Sequence, residues 1–202
     1  AELVALCDTT DFASLIDPDA ACFAHPASMT SAINDYCEKT GQAVPQTHAE
    51  YCRLIFRSLA LRYRQVVEIL EDMAPFSIKK LHVIGGGSQN KYLMQYAADA
   101  LNMPVICGPV EGTALGNVLM QMKASDSSLT LEQMRKISAA SVELKTYLPA
   151  DTEVWNKAYE KFIRPTDALS GIEGRESPHF LKIFDEQIGE REGKEALRDW
   201  LT

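Results

Sequence analysis

The amino-acid sequence predicts an α/β fold in which a βαβ unit packs against one long central helix. A short apolar run at 81–84, a helical pattern up to residue 101 and a second apolar run at 105–107 follow one another. A strand, a crossover helix and a strand at this spacing predict a parallel pair with a right-handed connection. In 48–74, apolar residues recur at intervals of three or four, which predicts the long helix.

The composition limits the class of protein. The chain has 202 residues, 46% of them hydrophobic and 24% charged, which suits one globular domain with an appendage. Its formal net charge of −8 disfavours nucleic acid or an anionic membrane surface as a partner. It holds no apolar run of about 18 residues and no signal-peptide pattern, so we expect a cytoplasmic location. The five cysteines include no Cys-x-x-Cys pair, which predicts reduced thiols and no metal site.

The first part of the chain is predicted to be mostly helical. Residues 1–27 carry too many apolar side chains for a disordered segment, so we expect a helical start and an ordered loop. A helix is predicted over about 26–40. Thr47 and Glu50 form a capping-box pattern at the start of the long helix, and Pro75 ends it.

The apolar run at 81–84 ends at three glycines, in the sequence Gly-Gly-Gly-Ser-Gln-Asn at 85–90. The run is typical of a buried strand, and a helix is predicted from about Ser88. Glycines in such a turn allow positive φ angles and let backbone N–H groups lie close to a ligand, while a helix N-terminus favours an anion. A tight turn with close strand-to-helix packing explains the same residues. The turn alone therefore leaves a nucleotide site and a packed bend as alternatives.

Three further helices and one extended segment are predicted after the second apolar run. The helices cover 113–124, 130–140 and a range that starts at Asp151, and 144–149 is extended. Gly116 lies inside the first of these helices, where it costs roughly 1 kcal/mol relative to Ala. We therefore expect a neighbouring backbone to approach it closely.

Pro165 marks a change in composition, which divides the chain into a domain at 1–163 and a tail at 164–202. The tail is richer in charge and glycine, and we predict no function for it. Its Ile-Glu-Gly-Arg at 172–175 resembles the recognition sequence of a processing protease, and an ordinary acidic loop explains it equally well. Two short amphipathic helices are predicted in the tail, at 178–188 and 193–201.

Several motifs, in the same order along the chain, are similar to those of the FGGY family of carbohydrate kinases. They are Gly-Gly-Gly-Ser-Gln-Asn at 85–90, Gly-Pro-Val-Glu at 108–111 and Leu-Gly-Asn at 115–117. Phe-x-x-Pro-x-x-Met at 23–29 and Ile-Phe-x-Ser-Leu-Ala-Leu-x-Tyr at 55–63 most resemble the rhamnulokinase group of that family. The resemblance is to the C-terminal part of these enzymes and covers about residues 12–163.

The resemblance implies an actin-like fold, in which two ribonuclease-H-like lobes close over ATP and a sugar with Mg²⁺ as the second cofactor. This chain would form a truncated part of one lobe, and its partners would be ATP or ADP. For Asn90, nucleotide contact is favoured over satisfaction of its own helix backbone. Asp99 is expected to be a solvated or capping carboxylate. The cofactor-binding residues implied are Gly85, Gly86, Gly87, Gln89 and Asn90.

The resemblance does not extend to catalytic machinery. Phosphoryl transfer in this family needs a carboxylate base, a phosphate-binding hairpin and a Mg²⁺ site. No motif in the chain resembles them, so no catalytic residue is assigned. We expect a C-terminal fragment that is inactive alone, whose complete form phosphorylates L-rhamnulose to L-rhamnulose 1-phosphate.

Three alternatives stay open. Another sugar kinase of the same family, such as a xylulokinase-like enzyme, would share these motifs because most sugar contacts lie in the other lobe. A non-catalytic nucleotide-binding or structural remnant is the second. A nicotinamide-binding domain is disfavoured, because the dinucleotide fingerprint requires a glycine where Asn90 stands.

An unpaired edge or apolar face near 81–84 would be covered by self-association, which predicts a homo-oligomer.

Overall fold

The computed structural model describes residues 2–73 and 77–163. The predicted tail helices, the Ile-Glu-Gly-Arg motif, the whole segment 164–202 and Pro75 lie outside the described residues, so the division of the chain at residue 163 stays a prediction. The described helices are α1 (Glu2–Ala5), α2 (Met29–Lys39), α3 (His48–Met73), α4 (Lys91–Leu101), α5 (Gly112–Ser125), α6 (Leu131–Ala140) and α7 (Thr152–Ile163).

A three-stranded sheet is formed by β1 (Leu81–Val83), β2 (Val105–Cys107) and β3 (Lys145–Tyr147), in that order. β1 and β2 are parallel, with Leu81 opposite Val105, and β2 and β3 are antiparallel. α4 connects the parallel pair, which confirms the predicted βαβ unit.

The prediction of a buried strand at 81–84 is wrong for β1 itself. Leu81 and Val83 are half-buried and His82 is exposed, whereas Val105 in β2 is fully buried. Among the described strands β1 has a single neighbour, so it lies at the edge of the sheet. The alternation arises because only the face that carries Leu81 and Val83 packs on helices.

α3 is the central helix that the sequence predicts. Its start is the predicted capping box, because Thr47 Oγ1 accepts from Glu50 N–H at 3.3 Å and Glu50 Oε2 accepts from Thr47 N–H at 2.9 Å. Leu54, Ala60 and Leu61 are fully buried. All three groups of buried apolar residues in the described part of the chain include residues of α3.

Each of these groups joins α3 to a different neighbour. The first packs α3 on α7, the second packs α3 and α4 on the sheet, and the third packs α2 on α3. Burial of this apolar area supplies most of the free energy that opposes chain entropy. The buried members are Leu15, Ala60, Leu61, Ala100, Trp155, Ala158, Tyr159 and Phe162; Val67, Leu93, Met94, Ala97, Ala98, Leu101, Val105 and Cys107; and Ile16, Ala20, Ile33, Tyr36, Cys37 and Leu54.

The N-terminal segment is an ordered loop that lies on α3 and α4, as the sequence predicts. Arg53 donates to the carbonyl of Cys7 at 3.1 Å, and Arg57 donates to the carbonyl of Phe12 at 3.2 Å. The hydroxyl of Tyr96 in α4 donates to Asp8 at 2.7 Å. Burial, with Asp8 next in importance, raises the pKa of Tyr96. The phenol therefore stays protonated and acts as a structural donor.

Arg64 joins α3, α4 and α7 through one guanidinium group. It donates to Asn156 Oδ1 at 2.6 Å and to the carbonyl of Ala100 at 3.3 Å, and it lies 4.1 Å from the ring centroid of Tyr159. It also forms an ion pair with Glu68, which accepts a hydrogen bond from the Tyr159 hydroxyl. A planar guanidinium with several donors suits such a junction.

Asp99 is buried, which corrects the expectation of a solvated carboxylate. Only 7% of the residue is exposed. Its Oδ1 accepts from the side chain of Gln95 at 2.9 Å and from the N–H of Ala150 at 2.8 Å. The carboxylate therefore joins α4 to the segment that leads from β3 into α7.

α5 and α6 pack less closely than the other helices. Only Leu119 in α5 and Met134 in α6 are buried. The predicted approach of a backbone to Gly116 is wrong, because a Cβ built there meets no heavy atom within 4 Å. No helix in the described part of the chain is both long and apolar enough to cross a bilayer. The exposed apolar residues of α5 are Val118, Met120 and Met122, and the turns after β2 and β1 expose Val110 and Ile84.

Candidate nucleotide-binding site

Two turns lie side by side where the parallel strands end. The glycine turn, defined here as residues 84–90, follows β1, and the second turn, defined as residues 108–111, follows β2. Carboxyl ends of parallel strands are the usual place for a ligand crevice in an α/β sheet. The fold therefore puts the predicted glycine turn in a position that suits a binding site.

Gly85 adopts a backbone conformation that requires glycine. Its φ is 86° and its ψ is −176°. A residue with a Cβ is strained at this φ. The chain then makes a 3₁₀ turn at Gly86–Gln89 before α4 begins at Lys91, so the α-helix starts later than the predicted Ser88.

The glycine turn is open. A Cβ built at Gly85, Gly86 or Gly87 meets no heavy atom within 4 Å outside the chain neighbours. Close packing between strand and helix therefore does not explain these glycines. The space over Gly86 and Gly87, both exposed, lets a ligand lie directly against the backbone.

The backbone of the glycine turn offers donors to that space. Ser88 is buried, and its hydroxyl and its N–H both donate to the carbonyl of Gly85, at 2.7 Å and 3.1 Å. These bonds fix the shape of the turn. Among residues 2–73 and 77–163, no carbonyl outside the turn accepts from the N–H of Gly86 or Gly87. Two adjacent amides of this kind suit a polar or anionic ligand.

Asn90 is the N-cap of α4. Its Oδ1 accepts from the N–H of Leu93 at 3.2 Å. Asn90 therefore satisfies its own helix backbone, which was the alternative to nucleotide contact. This hydrogen bond orients the Asn90 side chain at the mouth of the turn. Gln89 is exposed beside it, so the five predicted site residues lie together on one turn.

The second turn is the part of the site that sequence reasoning left undefined. Gly85 N–H donates to the carbonyl of Pro109 at 3.1 Å, and Gly108 N–H donates to the carbonyl of Val83 at 2.8 Å. The two turns are therefore one hydrogen-bonded unit. The second turn could have been predicted from the βαβ unit, because parallel strands bring the residues that follow both of them to the same end of the sheet.

The described residues supply no reactive nucleophile or metal cage at this site. Burial raises the pKa of the Cys107 thiol, with Lys145 opposing the shift, so the thiol is protonated at neutral pH. In the part of the chain that the structure describes, no three His, Cys, Asp or Glu side chains come together to hold a metal ion. The described residues therefore form no closed protein cage for Mg²⁺.

Comparison with known proteins finds relatives that cover most of the described residues. Residues 2–125 match the C-terminal domain of the FGGY family of carbohydrate kinases. The chain is 48% identical over 162 residues to a rhamnulokinase of Bacteroides thetaiotaomicron, an alignment that covers 80% of this chain and 33% of that protein. It is 46% identical over 138 residues to a rhamnulokinase of Pectobacterium atrosepticum, covering 68% of this chain and 28% of that protein.

Two solved structures share the fold. The xylulose kinase of Rhodospirillum rubrum gives a TM-score of 0.57 at 18% identity and covers 80% of this chain and 32% of its own. The xylulose kinase of Brucella ovis gives a TM-score of 0.52 at 20% identity and covers 66% of this chain and 27% of its own. They confirm the prediction of a partial actin-like α/β lobe.

The chain spans about a third of the length of the curated relatives that it matches. The family match covers most of the described residues, including both turns at the ends of β1 and β2. This chain belongs to the FGGY family of carbohydrate kinases, and residues 2–125 correspond to its C-terminal domain.

Proposed function

We propose that the glycine turn binds the adenosine part of ATP or ADP, and that the complete form of this protein is an ATP-dependent ketose kinase. The observation that carries the proposal is the open, side-chain-free surface over Gly86 and Gly87 at the end of a parallel strand. Its sugar would be L-rhamnulose and its product L-rhamnulose 1-phosphate, by similarity to relatives that are rhamnulokinases.

The role of this chain's own residues would be binding and orientation. Gly85 sets the bend, the amides of Gly86 and Gly87 face the nucleotide, and Asn90 lies beside them at the start of α4. Gln89 is exposed on the same turn. Holding the nucleotide in a fixed place contributes to phosphoryl transfer by positioning, and ATP supplies the phosphoryl group. Mg²⁺ would be held mainly by nucleotide phosphates and by groups outside the described residues.

The binding proposal is tested with ADP, by calorimetry on the chain of 202 residues. Gly86→Val adds a branched side chain over the open surface, so we expect ADP binding to be lost. The matched control is Ala139→Val, an exposed position on α6, which should bind ADP as the wild type does. Equal ADP binding by Gly86→Val and the wild type would show that the glycine turn is not the site.

We further propose that this chain alone does not phosphorylate a sugar. No carboxylate of the described residues is placed by motif as the base that accepts the proton of the sugar hydroxyl. In an assay that couples ADP formation to NADH oxidation, we expect no rise in rate when L-rhamnulose is added. A rhamnulose-dependent rate that survives purification would overturn this proposal.

The sugar is tested separately from the nucleotide. Because sugar contacts are expected outside the described residues, a xylulokinase-like specificity is the alternative. A panel of L-rhamnulose, D-xylulose and L-ribulose, given to a complete kinase that contains this segment, distinguishes the rhamnulose assignment from the xylulose alternative. Preference for D-xylulose would reject the rhamnulose assignment and leave the proposed nucleotide site unaffected. A cytoplasmic location stays a prediction.

Self-association is proposed from the exposed edge of the sheet. Among the described strands, β1 has one edge without a neighbouring strand. Unpaired strand edges and apolar patches tend to be covered by another chain. We expect sedimentation velocity at micromolar concentration to show a dimer or larger species. A single monomeric species would contradict this expectation.

A further inference from the structure

The side chain of Ile84 lies over two glycines of the chain after β2. Ile84 precedes the three glycines and is 63% exposed. A Cβ built at Gly108 would lie 2.9 Å from Ile84 Cγ2, and a Cβ built at Gly112 would lie 3.3 Å from Ile84 Cδ1. Both distances are shorter than an ordinary contact of about 3.5–4.0 Å between carbon atoms. The isoleucine is therefore seated directly on two glycine backbones.

Backbone conformation does not explain these two glycines. Among the glycines of the described residues, positive φ occurs at Gly41 and Gly85, whereas Gly108 and Gly112 lie outside that region. A residue with a Cβ is compatible with their backbone, so the reason for glycine is space for Ile84. Because isoleucine is branched at Cβ, it has few other rotamers into which it can move.

The contact reinforces the hydrogen bonds between the two turns. The bonds from Gly85 to Pro109 and from Gly108 to Val83 lie at the carboxyl end of the β1–β2 pair, where water competes for backbone groups. Ile84 lies on the face of the sheet opposite the one on which Val83 packs against helices. Its side chain therefore shields this backbone on the face that α4 leaves uncovered.

We propose that Ile84 is a positioning residue for the nucleotide site, an inference that rests on the proposed function. By seating on Gly108 and Gly112, it holds the second turn against the glycine turn and fixes the conformation of Gly85 and Gly86. The glycines at 108 and 112 and the isoleucine at 84 form one matched set. A larger residue at 108 displaces Ile84, and a smaller residue at 84 lets the second turn move.

The matched set is tested by a double-mutant cycle in the chain of 202 residues, with ADP affinity measured by calorimetry. We expect Gly108→Ala to weaken ADP binding about tenfold and Ile84→Ala about threefold. The double variant should lose about threefold rather than the product of about thirtyfold, because the smaller side chain at 84 makes room for the new Cβ. If the two losses simply multiply, the inference is overturned.

A second readout does not depend on ADP. The amide hydrogens of Gly85 and Gly108 should exchange at least about tenfold faster in Ile84→Ala than in the wild type. Val118→Ala is the control, because Val118 is a 53% exposed apolar residue of α5, and it should change neither the exchange of these amides nor ADP affinity. Unchanged exchange in Ile84→Ala overturns the inference alone. Absence of ADP binding by the wild type overturns the proposed function, and the exchange rates then decide the role of Ile84.

Discussion

The helical body and the site side of this molecule are built differently. The helical body, meaning the N-terminal loop with α2, α3, α4 and α7, holds nearly all of the buried apolar residues. The site side, meaning the two turns with α5 and α6, contributes only Leu119 and Met134 from its helices to the buried set. The buried core and the candidate binding site are therefore located in different parts of one fold.

This difference follows from what each region must do. A turn that binds a ligand through its backbone has to stay open, so it gains little from burial, and it depends on elements around it for its shape. The helical body supplies that support through α4, of which seven residues are buried. α4 begins at Lys91, directly after the glycine turn. The site is thus held at the end of the best-packed helix that touches it.

The largest expected effect comes from removing a core side chain of the helical body. Leu61 is fully buried in α3, and Leu61→Ala should lower the free energy of unfolding by about 2–5 kcal/mol. Met120→Ala is the matched change on the site side, where 59% of the residue is exposed, and it should cost about 0.5 kcal/mol or less. Urea unfolding followed by circular dichroism measures both. Similar losses for the two variants would abolish the distinction between the regions.

Much of the helical body was predictable from local sequence. The capping box of Thr47 and Glu50 and the apolar spacing after it define α3, because caps and helix faces depend on residues three or four positions apart. The parallel strands were predictable from the order of elements. The burial of Asp99 was not, because its partner Ala150 lies 51 residues away. Nothing in the local sequence indicates such a pair.

The candidate site was predictable in part. The three glycines identified the turn, and Gly85 has the positive φ that such a sequence allows. The seat of Ile84 on Gly108 depends on how two separate strands are aligned, which the sequence pattern does not specify. The prediction for Gly116 failed because it inferred a tertiary contact from a local property. The cost of glycine in a helix is local, but the presence of a neighbour is a tertiary property.

A smaller effect is expected from the buried carboxylate of Asp99, which links α4 to the segment before α7. Asp99→Ala removes the acceptor of the Ala150 N–H and one of the two acceptors of the Gln95 side-chain amide, and it should cost about 1–3 kcal/mol. Asp99→Asn keeps an acceptor oxygen, so its loss should be smaller. Asp11→Ala, at an exposed position, is the control and should have little effect. A loss in Asp99→Ala no larger than that of Asp11→Ala would contradict the role of this carboxylate.

The smallest effects come from two exposed carboxylates, one in each region. The backbone N–H groups of Gln46 and Thr47 hold the pKa of Glu50 below its ordinary value of 4.5. The side chain and backbone N–H of Ser128 similarly hold the pKa of Asp126 below 3.8. A carboxylate whose pKa is lower in the folded state stabilises the fold above the unfolded pKa. This stabilisation is lost as the pH falls through the folded value.

Protonation of Glu50 should therefore weaken the helical body in acid, whereas protonation of Asp126 should weaken the site side. Glu50 caps the central helix, so Glu50→Gln should flatten the decline in global stability between pH 5 and pH 3, as measured by urea unfolding. Asp126 lies between α5 and α6, so Asp126→Asn should change amide exchange in those two helices and leave the global pH profile as in the wild type. If Asp126→Asn flattens the global profile as much as Glu50→Gln does, α5 and α6 unfold together with the helical body. The site side would then share the stability of that body instead of depending on it from outside.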